Sequence, residues 1–151
     1  MGRILSPAEV LPLIPQQEPF RFVDEITELG EERVSGVYRW KPEADFYRGH
    51  FPGYPVTPGV LLVECMAQCT IVPLAIYFFY RDHEADAEKF QTLFTDATIE
   101  FSGLVRPGDR VRTEAKLLFY RRRKVRVRAE MKRDDGALVC SGELAGMGVA
   151  P

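Results

Sequence analysis

The order of patterns along the chain predicts an α+β domain in which a curved antiparallel β-sheet wraps around one long central helix. Three observations carry this. Two short strand patterns precede an apolar run from Val60 to Tyr80, four strand patterns follow it, and turn residues separate the strands with no linker or repeat between them. With 151 residues, 46% of them apolar, the chain has material for one core, so a single domain spanning 1–151 is expected.

Ser6-Pro7-Ala8-Glu9 supplies a helix cap, a proline at the first helical position and a capping-box glutamate, opening a short helix that Pro12 and Pro15 limit. Phe20 to Leu29 and Arg33 to Trp40 read as neighbouring strands of a meander, joined by an acidic turn containing Gly30. The long helix is expected to start near Thr57, with Thr57 as its cap and Pro58 as its first residue. Pro73 lacks an N–H and should bend this helix or loosen its ladder one turn earlier. A polar stretch, Arg81 to Lys89, then returns the chain to the surface.

Phe90 to Phe101, Asp109 to Tyr120, Lys124 to Lys132 and Ala137 to Met147 follow as strands, with turns at Arg106-Pro107-Gly108-Asp109 and Asp134-Asp135-Gly136. In the third, Val125, Val127, Ala129 and Met131 alternate with Arg126, Arg128, Glu130 and Lys132, which predicts one buried and one solvated face.

Composition narrows the setting. The net charge is −2, yet 12 of the 20 Lys/Arg and only 3 of the 22 Asp/Glu lie between Arg106 and Arg133, so a basic surface is expected on a mildly acidic protein. Cys65 and Cys69 are four apart in a helical run, and three cysteines do not make a disulfide framework. With no secretory leader visible, a cytoplasmic location is expected. The apolar run approaches membrane-spanning length but contains Glu64, Gln68 and Pro73, so a buried core helix explains it better than membrane insertion.

The chemistry concentrates in Arg48 to Gln68, RGHFPGYPVTPGVLLVECMAQ. Pro52 and Gly53 suit a type II turn, and the stiff loop holds His50 beside a helix N-terminus whose first N–H groups, Gly59 foremost, lack internal partners. Such a donor stabilises developing negative charge. Glu64 lies in apolar surroundings that disfavour its ionised form, and Gln68, one turn on, can orient it. Imidazole titrates near neutrality, so His50 as base, Glu64 as acid and Gly59 as oxyanion donor suit proton removal beside a carbonyl with protonation of a leaving group. His83, the other histidine, sits in a polar turn without metal-ligand spacing, and neither a nucleophile beside a base nor a phosphate loop is visible.

At these residues the chain resembles the FabZ-type 3-hydroxyacyl-[acyl-carrier-protein] dehydratases, through GHFPGYPVTPGVLLVECMAQ and, more weakly, PFRFVDEI and FSGLVRPGDRV. The FabA-type dehydratase/isomerases are less similar, having Asp where this chain has Glu64. The resemblance implies the hotdog fold, dehydration of (3R)-3-hydroxyacyl thioesters to trans-2-enoyl thioesters, and no cofactor or metal. It implies that His50 takes the α-proton, Glu64 assists departure of the 3-hydroxyl, the Gly59 N–H polarises the thioester carbonyl and Gln68 orients Glu64. Phe51, Gly53, Tyr54 and Val60 would contact substrate.

It further implies a homodimer in which His50 of one subunit faces Glu64 of the other, with larger rings such as hexamers open. Arg121, Arg122, Arg123, Lys124, Arg126 and Arg128 would then steer acidic acyl carrier protein, as against a plain solvated strand face; nucleic acid fits less well, because no aromatics interleave with them. The chain departs from the resemblance at Gln16-Gln17-Glu18, where a His and an Arg are usual, and at Tyr54 and Thr57; these bear on substrate range. A hotdog thioesterase, or a non-catalytic acyl- or carrier-binding subunit, are the competing readings.

Overall fold

The computed structural model describes residues 2–82 and 91–149. Helix α1 (Pro7–Val10) carries the expected capping box: the Ser6 side chain accepts from the Glu9 N–H, and the Glu9 carboxylate accepts from the Ser6 N–H. Strands β1 (Glu25–Leu29) and β2 (Arg33–Arg39) pair antiparallel. β1 is shorter than its pattern, because residues 20–24 leave the ladder and Phe22 packs into an aromatic cluster, stacked on Trp40 at 5.2 Å.

Helices α2 (Gly59–Cys69) and α3 (Ile71–Asp82) form the central rod, with Thr70 alone between them (φ −129°, ψ −69°). Pro73 causes the break: it has no N–H for the Cys69 carbonyl four residues back, and the Thr70 hydroxyl turns to the Met66 carbonyl at 2.7 Å. Strands β3 (Gln91–Phe101), β4 (Arg110–Arg121), β5 (Lys124–Arg133) and β6 (Leu138–Val149) complete one antiparallel sheet in the order β1-β2-β4-β5-β6-β3. Of the predicted polar stretch, Arg81 and Asp82 end α3; residues 83–90, with His83, lie outside the described residues.

Val125, Val127, Ala129 and Met131 are buried, as their alternation requires, against Leu62, Cys65, Met66, Leu74 and Ile76 of the rod. Each large apolar side chain so buried stabilises the fold by roughly 1.5–3 kcal/mol. Two glycines let the sheet close on the rod on either side of Thr70. A Cβ at Gly36 of β2 would stand 2.9 Å from the Cys69 Cβ, and one at Gly146 of β6 would stand 2.8 Å from Ile71 Cγ2.

The Gly59–Asp82 stretch is long and apolar enough to cross a membrane, but 72% of its apolar window is buried inside the protein, so it is a core helix. The exception to this closed architecture is β3. It is an edge strand, almost wholly exposed on both faces, with Leu93 59%, Phe94 43% and Phe101 53% accessible.

Candidate active site

The loop before α2 is held at each of its turns. Gly53 has φ +74°, which the third position of a type II turn requires, and the Tyr54 N–H closes that turn on the Phe51 carbonyl at 2.8 Å. The His50 N–H donates to the Phe46 carbonyl (3.0 Å), and the Val56 N–H donates to the His50 carbonyl (3.0 Å). The half-buried imidazole lies 2.8 Å, through Nδ1, from the Val56 carbonyl. A carbonyl only accepts, so Nδ1 carries the proton and Nε2 keeps its lone pair. A loop that could have left the ring free thus selects the tautomer a base needs.

Thr57 does not cap α2. Its hydroxyl bonds the Tyr47 phenol at 2.6 Å, the cap position falls to Pro58, and the helix begins at Gly59. The expected free donors survive this one-residue correction. Leu61 and Leu62 both donate to the Pro58 carbonyl, leaving the Gly59 and Val60 N–H groups without an acceptor among the described residues. The Phe101 ring covers Gly59, 3.2 Å from where a Cβ would stand.

Gln68 is fully buried and uses its whole amide. Its Oε1 accepts from the Phe22 N–H (2.6 Å), while Nε2 donates to the Phe20 carbonyl (2.9 Å) and to Glu64 Oε2 (2.8 Å). Glu64 Oε1 is left uncommitted among the described residues. Burial pushes the Glu64 carboxyl above the usual carboxylate range, and the Gln68 hydrogen bond only partly opposes it. The group is therefore disposed to hold a proton.

This shift has a stability consequence whose sign is fixed. A carboxyl with a folded pKa raised above its unfolded value contributes stability at acidic pH, which is lost as pH rises through the folded value. Glu64→Gln, isosteric with the protonated acid, is therefore expected to melt above wild type at mildly alkaline pH and level with it in acid. Melting curves across pH check this; a variant that melts lower throughout would contradict the burial argument.

The remaining predicted residues divide into three groups. Phe51 and Gly53 line a groove of about 460 Å³ with Pro42, Tyr47, Pro55 and Pro107. Tyr54 (54%) and Val60 (78%) are exposed beside it in sequence. Glu64 lines a different and much smaller pocket of about 30 Å³, with Gln16, Ala67, Ile71, Thr92, Phe94 and Gly146 among its walls. No hydrogen bond joins His50 to Glu64 within the chain, among the described residues.

The six basic residues also separate. Asp96 holds Arg126 (2.6 Å) and Lys124 (3.6 Å), and Glu143 approaches Arg126 (3.6 Å) and Arg128 (3.9 Å). Arg121, Arg122 and Arg123 are exposed at the β4–β5 turn, Arg121 lying 4.8 Å over the Phe119 ring. Arg122 and Arg123 both have positive φ (50° and 65°), the pair of values that a two-residue hairpin turn demands.

All three cysteines are free and buried, and burial pushes the Cys140 thiol up to about 12, so they pack rather than react. Among the described residues no group of three His, Cys, Asp or Glu is placed to hold a metal ion. Sequence reasoning missed the Phe20 and Phe22 backbone that clamps Gln68 from 46–48 positions away, and Thr92 of the Glu64 pocket, which carries no motif. Gln16, which the sequence marks as a departure bearing on substrate range, lines the same pocket.

The FabA-like domain family model matches residues 14–143. The 3-hydroxyacyl-[acyl-carrier-protein] dehydratase FabZ of Bacillus velezensis is 34% identical over 142 residues, covering 93% of this chain and 96% of the relative. The enzyme of the same name from Clostridioides difficile is 35% identical over 144 residues, covering 93% and 95%.

Among solved structures, the dehydratase heterocomplex ApeI:P of Xenorhabdus doucetiae superposes with a TM-score of 0.76 at 15% identity, covering 97% of this chain and 92% of that one. The thioesterase HI1161 of Haemophilus influenzae does so at 0.67 and 13%, covering 99% and 94%. At such identities these two speak for the hotdog fold alone. With the family model matching residues 14–143 and about a third of the aligned positions identical to FabZ dehydratases over 93% of its length, the chain belongs to the FabA-like domain family.

Proposed function

We propose that this protein dehydrates (3R)-3-hydroxyacyl thioesters borne on acyl carrier protein to trans-2-enoyl thioesters, in fatty acid or related lipid and polyene biosynthesis. The observation that carries the reading is the half-buried Glu64 carboxyl, held by Gln68 with its other oxygen unbonded among the described residues and disposed to keep a proton. His50 Nε2 removes the C2 proton, Glu64 protonates the departing 3-hydroxyl, and the Gly59 N–H at the positive end of α2 receives the charge that develops on the thioester oxygen. The pair favours elimination over thioester hydrolysis, because hydrolysis needs no base at C2.

No hydrogen bond joins His50 to Glu64 within one chain among the described residues, and β3 offers an open edge bearing Leu93, Phe94 and Phe101. Both features suit a homodimer in which each site takes His50 from one copy and Glu64 from the other. The carrier protein is acidic in its general chemistry, and the surface it would meet is the Arg121–Arg123 turn, whose charges no carboxylate pairs among the described residues. Asn or Gly would occupy these positive-φ positions with less strain, so two arginines there favour charge over turn economy. The turn also stands at the right end of the sheet: Lys124 pairs with Met147 and Met147 with Leu93, next to Thr92 and Phe94 of the Glu64 pocket.

Incubation with 3-hydroxyacyl carrier protein should give enoyl product, read by absorbance and mass. Neutralising Arg121, Arg122 and Arg123 together should raise KM about tenfold or more for the carrier-borne substrate and leave a small thioester mimic unchanged. Free thiol without enoyl product would replace dehydration by hydrolysis, and equal loss on both substrates would remove the docking role.

A further inference from the structure

The pocket beside Glu64 contains two polar atoms that the fold leaves without partners. Gln16 Oε1 and Thr92 Oγ1 are both buried and both lack a hydrogen bond among the described residues. Buried oxygens are seldom left so, because each forfeits its bonds to water. These two line the same pocket as Glu64, whose volume of about 30 Å³ accommodates one or two water molecules and no acyl chain. Their other neighbours there, Ala67, Ile71, Val72, Leu93 and Phe94, are apolar.

We infer that Gln16 and Thr92 form the subsite that receives the substrate's 3-hydroxyl and the water it becomes, a role that rests on the dehydratase reading above. The bond changes balance. Glu64 gives its proton to the hydroxyl oxygen, the C3–O bond breaks with its electron pair leaving on that oxygen, and the C2–H electrons, released as His50 takes the proton, become the C2=C3 bond. The alcohol has one hydrogen to donate and satisfies one of the two waiting acceptors. The nascent water has two, so it satisfies both Gln16 Oε1 and Thr92 Oγ1.

The bond made by the alcohol's own hydrogen strengthens as Glu64 protonates the oxygen, because that hydrogen becomes more acidic, which makes it an interaction of the transition state more than of the bound substrate. The second acceptor is met once the water turns away from Glu64. Gln16 and Thr92 also come from segments far apart in the chain, Gln16 from the stretch before β1 and Thr92 from the edge strand β3. Closing of β3 in a dimer therefore bears directly on the subsite.

The test uses Gln16→Leu and Thr92→Val, which keep the volume and remove the acceptors, with Thr92→Ser as the conservative control. With wild type forming enoyl product, each of the first two should lose about tenfold in kcat, by the same factor on short and long acyl chains and with KM little changed, while Thr92→Ser stays near wild type. A crystal structure of the free protein should show an ordered water bonded to Gln16 Oε1 and Thr92 Oγ1 that disappears in Thr92→Val. Unchanged kcat, a loss that grows with chain length, or a dry pocket in wild type would overturn the subsite while leaving the dehydratase reading in place. A wild type that forms no enoyl product would overturn that reading, and the leaving-group role with it.

Discussion

His50→Ala is expected to remove nearly all enoyl formation and to leave the fold intact. In the proposed mechanism Nε2 is the base, because Nδ1 is committed to the Val56 carbonyl. Loss of a positioned general base lowers kcat by roughly 10²–10⁴-fold. The structural cost is one hydrogen bond to a half-buried ring, about 0.5–1.5 kcal/mol, in a loop still tied through Phe46, Phe51, Tyr54 and Val56. His50→Asn separates the two effects, since its amide can donate to the Val56 carbonyl but cannot take a proton. Both variants should melt within a few degrees of wild type and fail equally in a single-turnover assay of enoyl absorbance. An asparagine variant with near-normal turnover would show that His50 only shapes the loop.

What the sequence shows and what it hides follow the range of the interactions. Glu64 and Gln68 are one helical turn apart, so their hydrogen bond is legible from spacing, as is the break at Thr70 from Pro73. The β5 alternation declares its buried face for the same local reason. The anchoring of Gln68 by Phe20 and Phe22 depends on a strand that ends early and an aromatic cluster that draws the chain inward, neither of which has a local signature. Thr57 reads as a cap because threonine before a proline usually is one, yet the Tyr47 hydroxyl, ten residues back, takes it. Likewise, the basic run is visible as composition, but which arginines stay free is decided by Asp96 and Glu143 on neighbouring strands.

A mixture of two dead enzymes should regain activity. In the proposed homodimer His50→Ala would lack the base and Glu64→Gln the acid, so each variant would have two defective sites. If each site joins His50 of one copy to Glu64 of the other, a mixed dimer has one site with both groups intact and one with neither. Random re-association makes about half of the dimers mixed, so the mixture should recover about one quarter of wild-type activity per subunit. Isolating the mixed dimer with two affinity tags should raise this to about half. If His50 and Glu64 of the same chain served one site, no mixing ratio would restore turnover. The open β3 edge gives a matching structural expectation: a charge at Phe94 or Leu93, both exposed in the single chain, should split the dimer and silence the enzyme together while leaving the buried rod untouched. Restored turnover in the mixed dimer and its loss on splitting would identify the subunit pair as the catalytic unit.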